Sequence, residues 1–173
     1  MTHLRKPTLA DEKQILAFRQ AFGESVETIP GTSYLIQAQS VASWLAELEK
    51  FSDPKRIPAG FVRGLQFLYF SEDNQLVGMI NLRTNLNDYL ENYGGHIGYG
   101  IQPKFRRQGY GSQMLKETLV IAKEQGLKQV LLTCDDDNQG SAKVIEANGG
   151  KLADKRLNKE SQKVIRRYWI ELE

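Results

Sequence analysis

Residues 94–111 read Gly-Gly-His-Ile-Gly-Tyr-Gly-Ile-Gln-Pro-Lys-Phe-Arg-Arg-Gln-Gly-Tyr-Gly: an apolar strand, a proline stop, then an Arg/Gly turn. An amphipathic helix follows, with Met114, Leu115, Thr118, Leu119 and Ala122 as its apolar stripe and Gly126 as its stop. Gly109 and Gly111 lack a Cβ, so the backbone can turn tightly and a ligand can come close to its N–H groups. The first turn of a helix leaves N–H donors without intrahelical partners, and the helix dipole adds partial positive charge there. Anions, phosphates above all, are favoured at such a place. Arg106 and Arg107 add two planar donor forks suited to phosphate oxygens. The turn is therefore expected to hold a phosphate-bearing ligand through Arg106, Arg107, Gln108, Gly109, Tyr110, Gly111 and Ser112.

Working outward, Ile97 to Ile101 is a strand unusual in holding Gly98 and Gly100, which mark a bulge or a close approach of other backbone. Val130 to Leu132 forms a buried strand, and Asn138 and Ser141 open a helix carrying Ala142, Ile145 and Glu146 that ends at Asn148-Gly149-Gly150. Two strands, near 151–157 and 163–172, finish the chain. Upstream, Thr8 and Asp11 resemble a capping box before Ile15, Phe18 and Phe22, which predicts a helix over residues 9–22. Val41, Trp44, Leu45 and Leu48 predict a second helix, and the segment between, with Pro30-Gly31, reads as irregular. Leu65 to Phe70 and Leu76 to Leu82, joined by Ser-Glu-Asp-Asn, predict an antiparallel hairpin, with a short helical turn in 85–93. Together these give one α/β domain over residues 1–173, of the α+β type, with a mixed, mostly antiparallel sheet of about seven strands and about four helices on both faces.

A chain of 173 residues can bury one core without disulfides or metal. Its single cysteine, Cys134, has no internal partner, which points to a reducing, cytoplasmic setting. The N-terminus has no apolar stretch of signal-peptide length, and no run approaches a membrane span. A net charge of +2 gives no support to a nucleic-acid partner. Lys163, Arg166 and Arg167 read as the solvated face of a strand. A Rossmann site fails for want of a third glycine, a Walker loop for want of its Gly-Lys-Ser/Thr, and zinc for want of clustered ligands. Asp135, Asp137, Gln139, Gly140 and Glu146 fall at calcium-loop spacing, but a strand precedes them where that motif needs a helix. No metal is expected.

The order of these pieces resembles the GNAT superfamily of acyl-coenzyme A-dependent N-acyltransferases. That family's signature is Arg or Gln, two residues of any kind, Gly, one of any kind, then Gly or Ala; Arg106, Gly109 and Gly111 satisfy it. Gly95 to Gly150 carries the likeness. The resemblance implies a GNAT-like sheet splayed in the middle, with the pantetheine arm of coenzyme A lying in the gap like an added strand. Backbone around Tyr99, Gly100 and Ile101 would pair with it, and Asn138 and Ser141 would lie beside it. Glycine at 98 and 100 fits such crowding, or only a bulge. The implied reaction is direct acetyl transfer from acetyl-coenzyme A, as co-substrate, to a primary amine of a small molecule or peptide; dimers are common in the family.

Amide formation needs a deprotonated nucleophile, stabilisation of the oxyanion and a proton for the departing thiolate. The backbone N–H of Ile101 is the candidate oxyanion donor. The family commonly places a Tyr seven residues after the Asn; here that position is Ile145, so the proton comes from Tyr168, Tyr99, Cys134 or water. His96 is the candidate base, with Asp88 and Glu91 as alternatives acting through water. Arg83 is placed to bind an anionic group of the substrate. Substrate choice is expected in the first two helices and in segments 52–64 and 84–95. A domain that binds acyl-coenzyme A as a sensor, without turnover, is the alternative that Ile145 raises.

Overall fold

A computed structural model of the chain describes residues 3–173. The two apolar runs fold into β2 (Gly64–Phe70) and β3 (Leu76–Arg83), a hairpin buried on both faces and therefore nearly continuous in hydrophobicity. Its turn is closed by Ser71 N–H to Gln75 O, with Asn74 in the left-handed region. The preceding elements are β1 (Leu4–Arg5), α1 (Glu12–Ala21) and α2 (Val41–Ser52). Those that follow are β4 (Ile97–Ile101), α3 (Tyr110–Glu124), β5 (Gln129–Asp135), α4 (Gln139–Ala147), β6 (Lys151–Asn158) and β7 (Lys163–Glu171).

The seven strands form one sheet in the order β1-β2-β3-β4-β5-β7-β6, antiparallel except where β4 meets β5. One face carries α1 and α2, packed through Ile15, Phe18, Val41 and Trp44 on Leu68 and Met79. The other carries α3 and α4, packed through Met114, Leu115, Ala142 and Ile145 on Ile80, Ile97 and Leu132. No described helix is long and apolar enough to cross a membrane.

The first predicted helix opens with a 3-10 turn, Leu9–Asp11, before α1, and Asp11 accepts the Thr8 N–H at 2.9 Å while holding Arg5 through two bonds. The turn expected in 85–93 is a π-helical turn, Leu90–Gly94. Strand β1 has only two residues, too few for any periodicity to announce it. The basic residues of β7 do not form one solvated face: Lys163 is exposed, Arg166 is half-buried and Arg167 is buried. Arg167 is 5% exposed, bonding Asp154 at 2.8 Å and the Glu91 carbonyl at 2.9 Å, while Arg166 pairs with Asp136 and Lys163 with Asp135. Of the acidic residues at the end of β5, Asp135 and Asp136 thus meet Lys163 and Arg166, whereas Arg167 is held by Asp154 of β6.

Candidate functional site

The sheet parts between β4 and β5, whose only registered pair is Ile97↔Leu132. Below that rung the strands are stitched by the His96 N–H to Leu131 O at 2.7 Å; above it they diverge. Parity shows what β4 exposes. Gln102 N–H bonds Val77 O and Arg83 N–H bonds His96 O, so the even-numbered residues of β4 direct their peptide groups at β3. Ile97, Tyr99 and Ile101 therefore aim theirs at β5, and for Tyr99 and Ile101 that means into the gap. Arg106 Nε takes the Ile101 carbonyl at 3.1 Å, which ties the Arg/Gly turn to the strand. Gly100, expected to pair with a ligand, instead has its peptide groups turned to Met79 on β3.

The turn leads into α3 through two left-handed residues, Arg107 at φ 62° and Gly109 at φ 84°. Gly109 is the N-cap of α3, and no side chain caps the helix. Its first N–H groups thus lie open beside Arg106 and Arg107. A Cβ built on Gly109 meets nothing within 4 Å, so glycine serves the dihedral there; one built on Gly111 would touch Val144 at 3.6 Å and Ile101 at 3.7 Å. Gln108 and Tyr110 do not line the cavity: Gln108 reaches back to Lys104 O, and the Tyr110 ring packs on Phe105 and Tyr69. Ser112 lines it, with its hydroxyl accepting from Asn148 on the far end of α4.

Across the gap, Asn138 caps α4, its Oδ1 accepting the Ser141 N–H at 3.1 Å. Tyr99 spans the space, its hydroxyl donating to the Ser141 carbonyl at 3.4 Å. Burial pushes that phenol up to about 12, and pushes the Cys134 thiol nearby up to about 11. Ile145 is fully buried, with Gly150 so close that a Cβ there would run into it. Tyr168 is 2% exposed and outside the cavity; its hydroxyl lies 3.5 Å from Glu146 and 3.4 Å from Arg166 at the other end of α4.

One cavity of about 1630 Å³ runs from the α3 and α4 N-termini through the gap to the α1/α2 face. A pocket for one small ligand usually holds about 300–1,000 Å³, so this one has room for two. On the second face the connection between α1 and α2 lies directly on β4. A Cβ on Gly31 would collide with the backbone of Tyr99 and come within 2.8 Å of Gly98 O, and one on Gly100 would lie 2.7 Å from Pro30 O. The strand glycines therefore accommodate the protein's own loop. The floor of this half is polar: Gln66 bonds Gly31 O and Ser33, and Asn81 accepts the Gly98 N–H. Neither residue was singled out in the sequence, although a lone amide in an apolar strand was the available signal. Exposed Tyr34, Phe61 and Tyr89 ring the mouth.

His96 lies outside the lining, 6% exposed, edge-on to Trp169. Its Nδ1 accepts the Leu131 N–H at 2.9 Å, and burial, helped by the Arg83 charge, lowers its pKa to about 4. Asp88 and Glu91 are exposed and do not line the cavity; the carboxylates that do are Glu47, Asp135 and Asp137.

A splayed sheet with an uncapped helix N-terminus beside the opening is the architecture that the sequence resemblance implied. Residues 2–151 match the model of the acetyltransferase (GNAT) domain, and the chain belongs to that family. Among solved structures it is similar to a GNAT-family acetyltransferase from Streptococcus pneumoniae, with TM-score 0.67, 16% identity and 98% of each chain covered. It is similar also to a spermidine N-acetyltransferase variant from Vibrio cholerae, with TM-score 0.62, 16% identity, and 98% of this chain and 94% of that one covered. A Salmonella typhimurium acetyl transferase that modifies the N-terminal serine of a 50S ribosomal subunit protein gives TM-score 0.65 and 20% identity over 98% and 94%. At such identities the likeness concerns the fold. No curated protein sequence matches the chain.

Proposed function

We propose that this protein transfers an acetyl group from acetyl-coenzyme A to a primary amine, directly, in a ternary complex. One observation carries the reading: an α3 N-terminus with no side-chain cap opens into the same cavity as the unpaired edge of β4. The fit to a diphosphate is chemical. The α3 amides, Arg106 and Arg107 form a cationic cradle, and the gap above Ile97 admits an extended amide-bearing arm against Tyr99 and Ile101, with Asn138 and Ser141 opposite. The bound thioester supplies an activated acyl group: the amine nitrogen bonds the carbonyl carbon, the C–S bond breaks and the thiolate leaves.

The chain's own groups serve the three demands of that reaction, one directly and two through water. A peptide N–H of Tyr99 or Ile101, fixed in direction by the β3 ladder, donates to the developing oxyanion. We assign the thiolate to the Tyr99 hydroxyl, which faces the gap where Tyr168 does not. With a pKa of about 12 against about 8.5 for an ordinary thiol, Tyr99 keeps its proton and steadies the sulfur by a hydrogen bond, and water delivers the proton itself. His96 we assign to structure: its Nδ1 is spent on Leu131, so the amine's proton leaves through water to the carboxylates of the cleft.

The test is to mix protein, acetyl-coenzyme A and a panel of peptides, polyamines, amino acids and aminoglycosides, and to follow free thiol. Amine-dependent thiol release supports transfer; tight cofactor binding with no release across the panel establishes the sensor instead. Tyr99→Phe should lower kcat about ten- to hundredfold at unchanged coenzyme A affinity, the loss of one hydrogen bond to a charged group. An unchanged kcat would remove Tyr99 from the mechanism.

A further inference from the structure

On the acceptor side of the cavity the polar groups differ in one respect. Gln66 is fully engaged, its amide donating to the Gly31 and Phe67 carbonyls and its Oε1 accepting from Ser33 at 2.6 Å. Asn81 is engaged by Gly98 N–H and, more loosely, by Ser33. Arg83, two residues further along the same face of β3, is not. Its Nη1 donates to the Gly95 carbonyl at 3.0 Å and to Gly94 at 3.4 Å, which fixes the plane of the guanidinium. Its Nε and Nη2 have no protein partner among the described residues, and no carboxylate pairs with it there.

The surroundings leave that edge accessible. Arg83 lines the cavity, and its cross-strand partner on β2 is Gly64, where a built Cβ meets only a backbone oxygen at 4.0 Å. Cross-strand partners share a face, so the missing side chain leaves open the space beside the guanidinium. Burial pulls the Arg83 pKa down, a sign that the charge is held in a poorly solvated place. A half-buried charge with a free two-donor edge is a ready partner for an anion that enters beside it. The Nε/Nη2 edge matches the two oxygens of a carboxylate.

We propose that the acceptor amine also carries a carboxylate, and that Arg83 binds it side-on while the amine reaches the gap beside Tyr99. The proposal rests on the acyl-transfer reading and narrows it, to amino acids and short peptides over polyamines. Strand rise adds a length constraint. Arg83 lies opposite His96, about 10 Å along β4 from Tyr99 at about 3.4 Å per residue, and its guanidinium is held at the Gly94 and Gly95 carbonyls, so the acceptor has to bridge that whole distance.

The experiment compares α-amino acids, ω-amino acids and dipeptides, each beside its C-terminal carboxamide, with phosphoethanolamine as a further amine. Wild-type protein should acetylate the best acid about tenfold or more faster, in kcat/KM, than its carboxamide. In Arg83→Gln that acid-to-amide ratio should collapse towards one through a rise in KM for the acid, and Arg83→Lys should recover part of it. A ratio near one in wild type, a ratio unchanged in Arg83→Gln, or phosphoethanolamine outrunning every acid would overturn the proposal. Should Arg83→Gln fail to fold, as judged by thermal melting, the wild-type ratio decides. Should no amine be acetylated, the acyl-transfer reading fails by itself. Calorimetry of the same acids and carboxamides with the coenzyme A-loaded protein then decides Arg83: weaker acid binding in Arg83→Lys than in wild type supports the site, and equal binding of acids and carboxamides overturns it.

Discussion

At α4 the first turn is closed by its own chain, with Asn138 Oδ1 on the Ser141 N–H at 3.1 Å, and α2 is closed likewise by the reciprocal Ser40 and Ser43 bonds. At α3, which faces the same cavity as α4, the N-cap is Gly109 and no side chain bonds the exposed amides. A good cap stabilises a helix by about 1 kcal/mol. Helix α3 forgoes that contribution, as α1 does, but among the described helices only α3 closely follows two arginines. Under the proposed acyl-transfer reading, the difference separates the helix end that would hold a foreign anion from the one that holds itself.

The contrast can be broken at α3 and sharpened at α4. Gly111→Val should have the largest effect: the Cβ fits beside Val144 and Ile101, but the added branches enter the cleft, so coenzyme A affinity should fall about tenfold or more in calorimetry, with thermal melting little changed. Unchanged affinity would mean that the α3 turn does not hold the cofactor. Gly109→Asp transplants a cap. Asp tolerates the left-handed dihedral better than most residues, and its carboxylate competes for the same amides, so a several-fold loss of affinity is expected, steeper at low salt. Asn138→Ala removes the α4 cap and should cost about 1 kcal/mol in urea unfolding, with a smaller effect on affinity than Gly109→Asp. An affinity loss larger than that of Gly109→Asp would show that both helix ends serve the ligand.

The smallest effect concerns the closed part of the strand pair. His96 has a folded pKa of about 4, below its ordinary 6.5, so the unfolded chain binds a proton that the fold refuses between those values. The stability this group contributes is complete above about pH 6.5 and declines as pH falls towards 4. His96→Gln should flatten the pH dependence of the melting temperature in that window and leave the pH profile of acetyl transfer in place. A profile that lost an ionisation in this variant would return His96 to the mechanism.

Periodicity made the α3 stripe, the β2/β3 hairpin and the Arg/Gly turn legible, because each is local: the residues that pack or cap lie within a few positions of one another. The site on the second face was not legible in the same way. Glycine at 98 and 100 announces that something comes close, yet that something is Pro30 and Gly31, distant in sequence and in a stretch with no periodicity. His96 looked available because histidine titrates near neutrality, but the Leu131 N–H that occupies it belongs to a strand after the next helix. Arg167 looked exposed among other basic residues, and only the arrival of Asp154 and the Glu91 carbonyl buries it. Each misreading involves a partner supplied by tertiary packing.

The walls of the gap are fastened together at several places, the Tyr99 hydroxyl on the Ser141 carbonyl among them. His96 and Ile97 join the strands at the base, and Asn148 on α4 reaches the Ser112 hydroxyl and carbonyl on α3. A slit braced in this way keeps its width before anything enters it. For the coenzyme A arm proposed to enter it, the loss of freedom would then fall on the arm's own rotatable bonds while the protein stays preorganised, and association should need no opening motion.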